Sequence, residues 1–385
     1  MGLRIVIDAR HINDFGIGTY IRNLIGGLSR VDPENHYSLV VSEENVHHFS
    51  KLPGNFDTAI YNRPDSEYFD HIGLPMFLGN FAADLYHIPL NAVPVFMPKP
   101  YIVTVHDMSS LVYERKAKGW ENTFQLYRFR RGLLRADQVI AVSGATRRDI
   151  ELLLGIPDER IRQIYNAPDP RFMERRTDEE YLAEKRRILD RYQINYPFLL
   201  YAGNIRPQKN IPRLVEAFAV LRGDLENHPV YKDLRLVIIG DEISRYPSVR
   251  RAVIQTRVEQ VVRFLGFIPL DTLRVFYESA SAFVFPSLYE GFGLPPLEAM
   301  ASGTPVVTSN VSSLPEVVGD AALIVNPENV FDIARGIRDV LLDQELRTRL
   351  VTLAQEQVNR FSWDRTAREV LETYRRVAAS RKGAR

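Results

Sequence analysis

The chain contains no cysteine. That absence removes disulfides, thiolate metal sites and cysteine nucleophiles, and it suits a cytoplasmic compartment. Net charge is nearly absent as well: 49 lysines and arginines face 48 aspartates and glutamates, for a formal +1. Bulk attraction to nucleic acid is therefore excluded as the basis of function, and no nucleic-acid partner is expected, although a local basic patch can still meet phosphate or lipid headgroups. No stretch reaches the roughly 18 uninterrupted apolar residues that a spanning helix needs. The opening run Leu3-Arg-Ile-Val-Ile-Asp8 lacks the apolar region and cleavage pattern of a secretory leader. Any membrane contact is thus expected to be peripheral, at the inner face. Short repeats, low-complexity tracts and an Asp-x-Asp pair are missing too, so bound cations are expected to do the work of a metal beside a phosphate.

What is present is the composition of a globular protein, 45% hydrophobic and 25% charged, in 385 residues. That length exceeds one ordinary core and implies two domains of roughly 150 to 200 residues each. Short β-branched runs alternate with helical stretches, the pattern of parallel sheets covered by helices. In the first half the runs are Leu3 to Ile7, Tyr37 to Val41, Leu85 to Ile88, Ile102 to Val105 and Gln138 to Val142, with a helix at Tyr20 to Leu28. Several end in a polar residue, Asp8, His106 or Ser143, where ligands of open α/β sheets collect. A break falls near Asn166-Ala-Pro-Asp-Pro170, followed by a charged helix over Asp178 to Asp190. A second series comprises Phe198 to Ala202, Leu236 to Ile239, Val261 to Phe264, Ala282 to Phe285, Pro305 to Thr308 and Ala322 to Val325. The expected division is 1–175, 176–360 and a final amphipathic helix within 361–385.

The most informative segment is Pro286-Ser-Leu-Tyr-Glu-Gly-Phe-Gly-Leu-Pro-Pro-Leu-Glu-Ala-Met-Ala-Ser-Gly303. It follows a buried-strand run. Gly291 and Gly293 permit close backbone approach, Pro295 and Pro296 suit a first helical turn, and Gly303 suits a helix stop. Glu290 is expected on the loop and Glu298 in the first turn of the helix, with free amides and a positive dipole end between them. Carboxylates accept bonds from hydroxyls while amides face anions, so a phosphorylated sugar or nucleotide is the expected ligand.

This segment resembles the paired-glutamate signature of family-4 retaining glycosyltransferases. The resemblance implies the GT-B architecture: two doubly wound Rossmann-like α/β domains facing a central cleft, with the last helix crossing back to the N-terminal domain. It also implies that Glu290 contacts donor-sugar hydroxyls and Glu298 the nucleotide ribose, with Gly291, Phe292, Gly293 and Leu294 lining the donor.

Three further places carry candidate chemistry. In Asp14-Phe-Gly-Ile-Gly-Thr-Tyr20, Gly16 and Gly18 leave room for a phosphate, although the loop lacks the third glycine of a dinucleotide fingerprint. By resemblance such a glycine loop faces the donor phosphate and the acceptor, and Gly18 is its key position. In Tyr201-Ala-Gly-Asn-Ile-Arg-Pro-Gln-Lys-Asn210, Lys209 and Arg206 can neutralise a pyrophosphate. Relatives often carry a basic residue where Asn204 or Gln208 stands here, which leaves Arg206 as its substitute. His106-Asp107 closes a strand, and the resemblance sets His106 against the donor sugar near its anomeric carbon; Asp107 either orients the loop or approaches the acceptor hydroxyl.

For the nucleobase, Phe264-Leu-Gly-Phe-Ile-Pro269 matches a place where the family's backbone reads the base edge, which points to Phe267 and Ile268 without choosing a base. The helix Trp120 to Arg135 places Trp120, Phe124, Tyr127 and Leu134 near one face, with Arg128, Arg130, Arg131 and Arg135 toward its end. It suits either an anionic membrane surface or core packing with a solvated arginine face.

The expected activity is metal-independent transfer of a hexose, with retention, from a nucleotide diphosphate sugar to a glycan or lipid-linked acceptor. Ile7-Asp-Ala-Arg10, Gly16-Ile-Gly-Thr19 and Thr104-Val-His-Asp107 look most like bacterial mannosyl- and glucosyltransferases of surface polysaccharide assembly. GDP-mannose is therefore expected ahead of UDP-glucose, with no separate cofactor. A sugar-nucleotide epimerase of the same fold and a non-catalytic nucleotide-sugar-binding protein are the alternatives.

Overall fold

The structure is a computed structural model. It describes residues 2–382 apart from 15, 63–66, 91, 92, 95, 113–119 and 242, and excludes the side chains of 67–71, 110, 120–126, 381 and 382. The chain divides into two compact units, residues 1–166 with 361–385 (unit 1) and residues 167–360 (unit 2).

Unit 1 holds seven strands: β1 (Arg4–Asp8), β2 (His36–Val41), β3 (Phe56–Ile60), β4 (Leu85–Ile88), β5 (Tyr101–Val105), β6 (Gln138–Ala141) and β7 (Ile161–Gln163). Their order in the sheet is β3-β2-β1-β4-β5-β6-β7, parallel throughout. Strands β4, β5 and β6 are buried at every residue, as expected of a parallel sheet covered on both faces. Two strands escape the sequence reading. β3 is a largely exposed edge strand, and β7 is a three-residue Ile-Arg-Gln segment, so neither presents a hydrophobic run.

The first helix begins earlier than Tyr20, spanning Ile17–Val31, so Gly18 lies in its first turn and not in the preceding loop. The C-terminal helix Trp363–Lys382 belongs to unit 1 and packs on that first helix. Contact is close at Gly27, where a Cβ would stand 2.8 Å from the Trp363 carbonyl oxygen and 2.9 Å from the Ala367 methyl.

The basic helix Trp120–Arg135 turns a different face inward than its pattern suggests. Phe129 and Leu133 are buried, and at Gly132 a Cβ would meet Val93 at 2.7 Å. Arg128 is buried with them, whereas Tyr127 and Leu134 are exposed beside Arg130, Arg131 and Arg135. A glycine in the helix thus marks close packing on the loop after β4. Trp120 and Phe124 have side chains outside the described residues.

Unit 2 holds β8 (Phe198–Ala202), β9 (Arg235–Ile239), β10 (Val262–Gly266), β11 (Ala282–Phe285), β12 (Val306–Ser309) and β13 (Leu323–Val325). Their order is β10-β9-β8-β11-β12-β13, again all parallel. Phe198, Phe276, Tyr277 and Phe283 fill its core. The helix Ile211–Leu225 follows β8, with Pro212 in its first turn and Leu214, Phe218, Leu221 and Leu225 on its buried face. The charged helix spans Glu179–Arg191, and Asp178 caps it by accepting from the Tyr181 amide. Among the described residues, no helix is long and apolar enough to cross a membrane.

Candidate functional site

Each sheet reverses direction once. In unit 2 the chain leaves β8 for β9 and β10, then returns to β11 on the other side of β8 and continues outward. The carboxyl ends of β8 and β11 therefore open a crevice between diverging connections, the place where open α/β sheets take ligands. The loop after β8 carries Lys209, and the loop after β11 carries Glu290.

Backbone and side-chain bonds tie these loops together. Leu288 N donates to Gln208 O at 2.7 Å. Asn210 sits in the left-handed region at φ 58°, and its Nδ2 donates to Pro286 O at 3.0 Å and to Pro327 O at 2.7 Å. Asparagine tolerates that conformation better than most residues, and here its amide serves as the cross-link. Lys209 Nζ consequently donates to Glu290 Oε1 at 2.6 Å, with the two side chains 14% and 10% exposed, and it lies 5.3 Å from the Phe285 ring centroid. The pair is sheltered enough for its charges to interact strongly.

Serines from the loop after β12 hold the Glu290 loop. Ser312 accepts from Glu290 N at 3.1 Å and donates to Glu290 O, while Ser313 lies 3.0 Å from Glu290 O and 2.7 Å from Phe292 O. Phe292 is buried, and Gly293 adopts φ 110° at the start of the helix Leu294–Ala301. Here the structure corrects two expectations. Pro295 and Pro296 occupy the first turn and carry no N–H, so the helix start offers the Leu294 amide but not a full set of donors. Glu298 lies in the second turn and not the first. It is buried against Tyr277, whose hydroxyl donates to Glu298 Oε2 at 3.3 Å. Burial pushes the Glu298 carboxyl up to about 8; nearby Asp169 adds to the rise, and Tyr277 and Arg171 oppose it.

Arg206 is exposed and lines a cavity with Arg213 and Tyr246, whose lining includes neither Lys209 nor Glu290. Phe267 is 71% exposed on the loop after β10, and the neighbouring Ile268 is buried. Sequence reasoning did not single out Asn210, Ser312, Ser313 or Arg213. Of these, Asn210 had a signal, an asparagine directly after the lysine in a strand-to-helix loop.

In unit 1 the reversal lies between β1 and β4. His106 follows β5, and its Nε2 donates to Pro89 O, just beyond β4, at 3.1 Å. That bond fixes the tautomer with the proton on Nε2. The Tyr20 ring meets the imidazole edge-on at a centroid distance of 4.8 Å. Burial lowers the imidazole to about 4, partly offset by the Pro89 carbonyl and Asp107, so His106 is neutral at ordinary pH. Asp107 accepts from Ser109 N at 2.9 Å and Ser109 Oγ at 2.6 Å, and so orients the loop.

The two glycines have different jobs. A Cβ on Gly18 would stand 2.1 Å from Ile12 O, so this residue lets its own loop close over the helix. Gly16, at φ 72°, caps that helix, and nothing lies within 4 Å of where its Cβ would be. Open space for a ligand is therefore at Gly16. The other polar strand ends are structural: Asp8 is buried and paired with Arg10 at 2.9 Å, and Ser143 caps a helix by accepting from Thr146 N.

Chemically, unit 2 offers a carboxylate already engaged by an ammonium, a protonatable buried carboxyl and an amide at a helix start. Such a set binds hydroxyls and an anion.

Two family models match the chain: Glycosyltransferase Family 4 over residues 16–172 and Glycosyl transferases group 1 over residues 184–357. The O-antigen chain mannosyltransferase B of Escherichia coli is 32% identical over 297 residues, covering 76% of this chain and 74% of that protein. The serotype-specific mannosyltransferase WbdA of Escherichia coli is 31% identical over 84% of this chain, which spans 38% of WbdA. Anabaena HepE, solved in complex with UDP-glucose, matches with a TM-score of 0.74 over 96% of this chain and 99% of that one, at 16% identity. The likeness is one of fold, the GT-B arrangement.

Proposed function

The chain belongs to the glycosyl transferases group 1 family, and we propose that it moves a hexose, mannose ahead of glucose, from a nucleotide diphosphate sugar to a hydroxyl of a glycan or lipid-linked acceptor in surface polysaccharide synthesis. Two relatives named as mannosyltransferases support the sugar, and one of them, named for the O-antigen chain, supports the pathway class. The observation that carries the site assignment is the Lys209–Glu290 pair at the β8/β11 reversal.

In this reading Glu290 accepts from hydroxyls of the donor sugar, and Lys209, held by Glu290, presents its remaining N–H bonds to the diphosphate. The Leu294 amide adds a fixed dipole at the helix start. Glu298 meets the ribose. Phe267 and Ile268 lie two strands away from β8, roughly 10 Å, a suitable span from diphosphate to nucleobase. His106, neutral and with Nε2 occupied by Pro89, orients sugar hydroxyls and is not a general base. Gly16 leaves room for substrate.

We assign retention and metal independence to the reaction. The bond from the anomeric carbon to the diphosphate oxygen breaks, the acceptor oxygen bonds to that carbon on the same face, and the acceptor proton passes to the departing phosphate oxygen. Lys209 stabilises charge on that oxygen as it grows. The exposed face of the helix Trp120–Arg135, with Tyr127, Leu134 and three arginines, suits contact with the anionic inner membrane surface from the cytoplasm.

Thermal shift with GDP-mannose, UDP-glucose and other nucleotide sugars, followed by product analysis with and without acceptor, tests the proposal. A ligand at 100 times its Kd stabilises by about 2.7 kcal/mol. Epimerised nucleotide sugar formed from donor alone would overturn the transferase reading, and inversion at the anomeric carbon would overturn retention.

A further inference from the structure

Among the described residues, four other than glycine have a positive φ, and Ser312 is one of them, at 60°. Three have an evident cause. Gln193 and Arg257 each follow the end of a helix, where a left-handed residue closes the last turn, and Asn210 is of a type that tolerates the region. Ser312 ends no helix. It lies between β12 and the short helix Leu314–Val318, in a conformation that the Cβ of an ordinary residue disfavours and that glycine adopts freely.

Its hydroxyl supplies what a glycine there would lack. Ser312 Oγ accepts from Glu290 N at 3.1 Å and donates to Glu290 O, so both backbone polar groups of a residue 22 positions away end on one side chain. In an extended strand successive side chains point to opposite faces, but with residue 312 left-handed both serines meet the same loop, Ser313 Oγ lying 2.7 Å from Phe292 O. Lys209 grips the Glu290 carboxylate, and Ser312 grips the Glu290 backbone. A disfavoured backbone conformation persists only where its surroundings over-determine it, and such residues cluster at ligand clamps.

We propose that Ser312 is a positioning residue for the donor sugar: its left-handed backbone aims the hydroxyl at the Glu290 peptide groups, and that bond sets where the Glu290 carboxylate stands. This role rests on the transferase reading above, in which Glu290 meets the sugar. Ser312 then governs recognition of the sugar and leaves recognition of the nucleotide to other residues. A serine is retained at a glycine-like position because the two hydrogen bonds offset the strain of its backbone.

Calorimetry on the intact chain tests this by comparing GDP-mannose with GDP, or UDP-glucose with UDP where that pair binds instead. Ser312→Gly and Ser312→Ala are each expected to weaken the nucleotide sugar about tenfold while the free nucleotide stays within about twofold. Equal weakening of both ligands marks a merely structural serine and overturns the proposal, as does unchanged binding of both. Because Ser312 acts through Glu290, the double variant Ser312→Gly with Glu290→Gln should bind the nucleotide sugar no more weakly than Glu290→Gln alone; additive losses overturn the proposal. Ser312→Gly should also melt above Ser312→Ala, since both lack the hydroxyl and only alanine carries a Cβ at φ 60°; the reverse order would show that no strain is held there and overturn the proposal. Ser312→Gly carries the binding test if Ser312→Ala fails to fold. Failure of the underlying reading looks different. Glu290→Gln binding the nucleotide sugar as the unmodified chain does removes Glu290 from the donor sugar, and this role of Ser312 with it, whereas loss in Glu290→Gln with Ser312→Gly unaffected overturns the role of Ser312 alone.

Discussion

Lys209 Nζ donates to Glu290 Oε1 at 2.6 Å, joining two residues 81 positions apart at the reversal of the unit 2 sheet. The sequence suggests separate duties, one cation for phosphate and one carboxylate for sugar. On the proposed reading, pairing them means that a donor would meet a preset ammonium whose direction the carboxylate fixes. Neither group has to be ordered when substrate arrives, which lowers the cost of reaching a reactive geometry.

Lys209→Ala therefore has two expected effects. It leaves the sheltered Glu290 carboxylate uncompensated, costing on the order of 3–5 kcal/mol of stability. It also lowers turnover more than it raises donor KM, because the charge on the leaving oxygen grows during the reaction. Adding Glu290→Gln to Lys209→Ala should restore much of the stability and none of the activity. A double variant no more stable in urea than Lys209→Ala alone would show that the ion pair is energetically idle.

Glu298 gives unit 2 a pH dependence of unusual sign. Its carboxyl keeps its proton in the folded unit up to about pH 8, whereas a solvated glutamate ionises near about 4.3. Between those values the folded state holds a proton that the unfolded state has released, so stability falls as pH rises through the window. Glu298→Gln, which mimics the protonated group, should flatten that slope in urea melts between pH 5 and 8. It should also keep nucleotide affinity within about threefold at pH 6.5, with Glu298→Ala losing about tenfold through the missing hydrogen bond. Unchanged affinity in Glu298→Ala would remove the ribose assignment.

How much of this site was legible depended on the range of the interaction that makes it. Strand ends carrying Glu290, Lys209 and His106 were readable because period, glycine and proline are local signals. The Lys209–Glu290 bond was not, since it depends on β8 and β11 becoming neighbours across a long intervening stretch. Gly18 looked like a ligand glycine, yet its missing Cβ makes room for Ile12 O, a contact that only the folded loop defines. Arg128 was grouped with the surface arginines, and its burial came from Gly132 drawing that helix face onto Val93. The edge strand β3 failed the hydrophobic pattern because an edge strand need not bury both faces.

His106 should leave no mark on the pH–rate profile near neutrality. Half-buried and bonded to Pro89 O, it titrates at about 4, so kcat/KM should show no imidazole inflection between pH 5.5 and 8. His106→Ala should still lower turnover through lost positioning of the sugar. An inflection near pH 6.5 that disappears in His106→Asn would make this residue an acid–base catalyst instead.

The final helix is expected to be indispensable to unit 1 through one buried chain of side chains. Tyr374 OH meets His87 Nδ1 at 2.6 Å, His87 Nε2 meets Thr104 Oγ1 at 2.8 Å, and Thr104 Oγ1 meets Tyr20 OH at 3.1 Å, with the Tyr20 ring against His106. A neutral imidazole has one donor and one acceptor, which suits its place in the middle of the chain. Burial, reinforced by nearby His106, lowers His87 to about 3, so the unfolded chain takes up a proton near pH 6.5 that the folded unit refuses. Stability of unit 1 should therefore fall as pH drops from about 6.5, opposite to the trend that Glu298 imposes on unit 2. Hydrogen exchange should show unit 1 opening first at pH 5. Tyr374→Phe leaves one His87 nitrogen without its partner and should cost about 1–3 kcal/mol. Since Tyr374 sits four side chains away from His106, a drop in turnover in that variant at temperatures where it is fully folded would mean that the chain also sets the imidazole. Unchanged turnover would confine the network to stability.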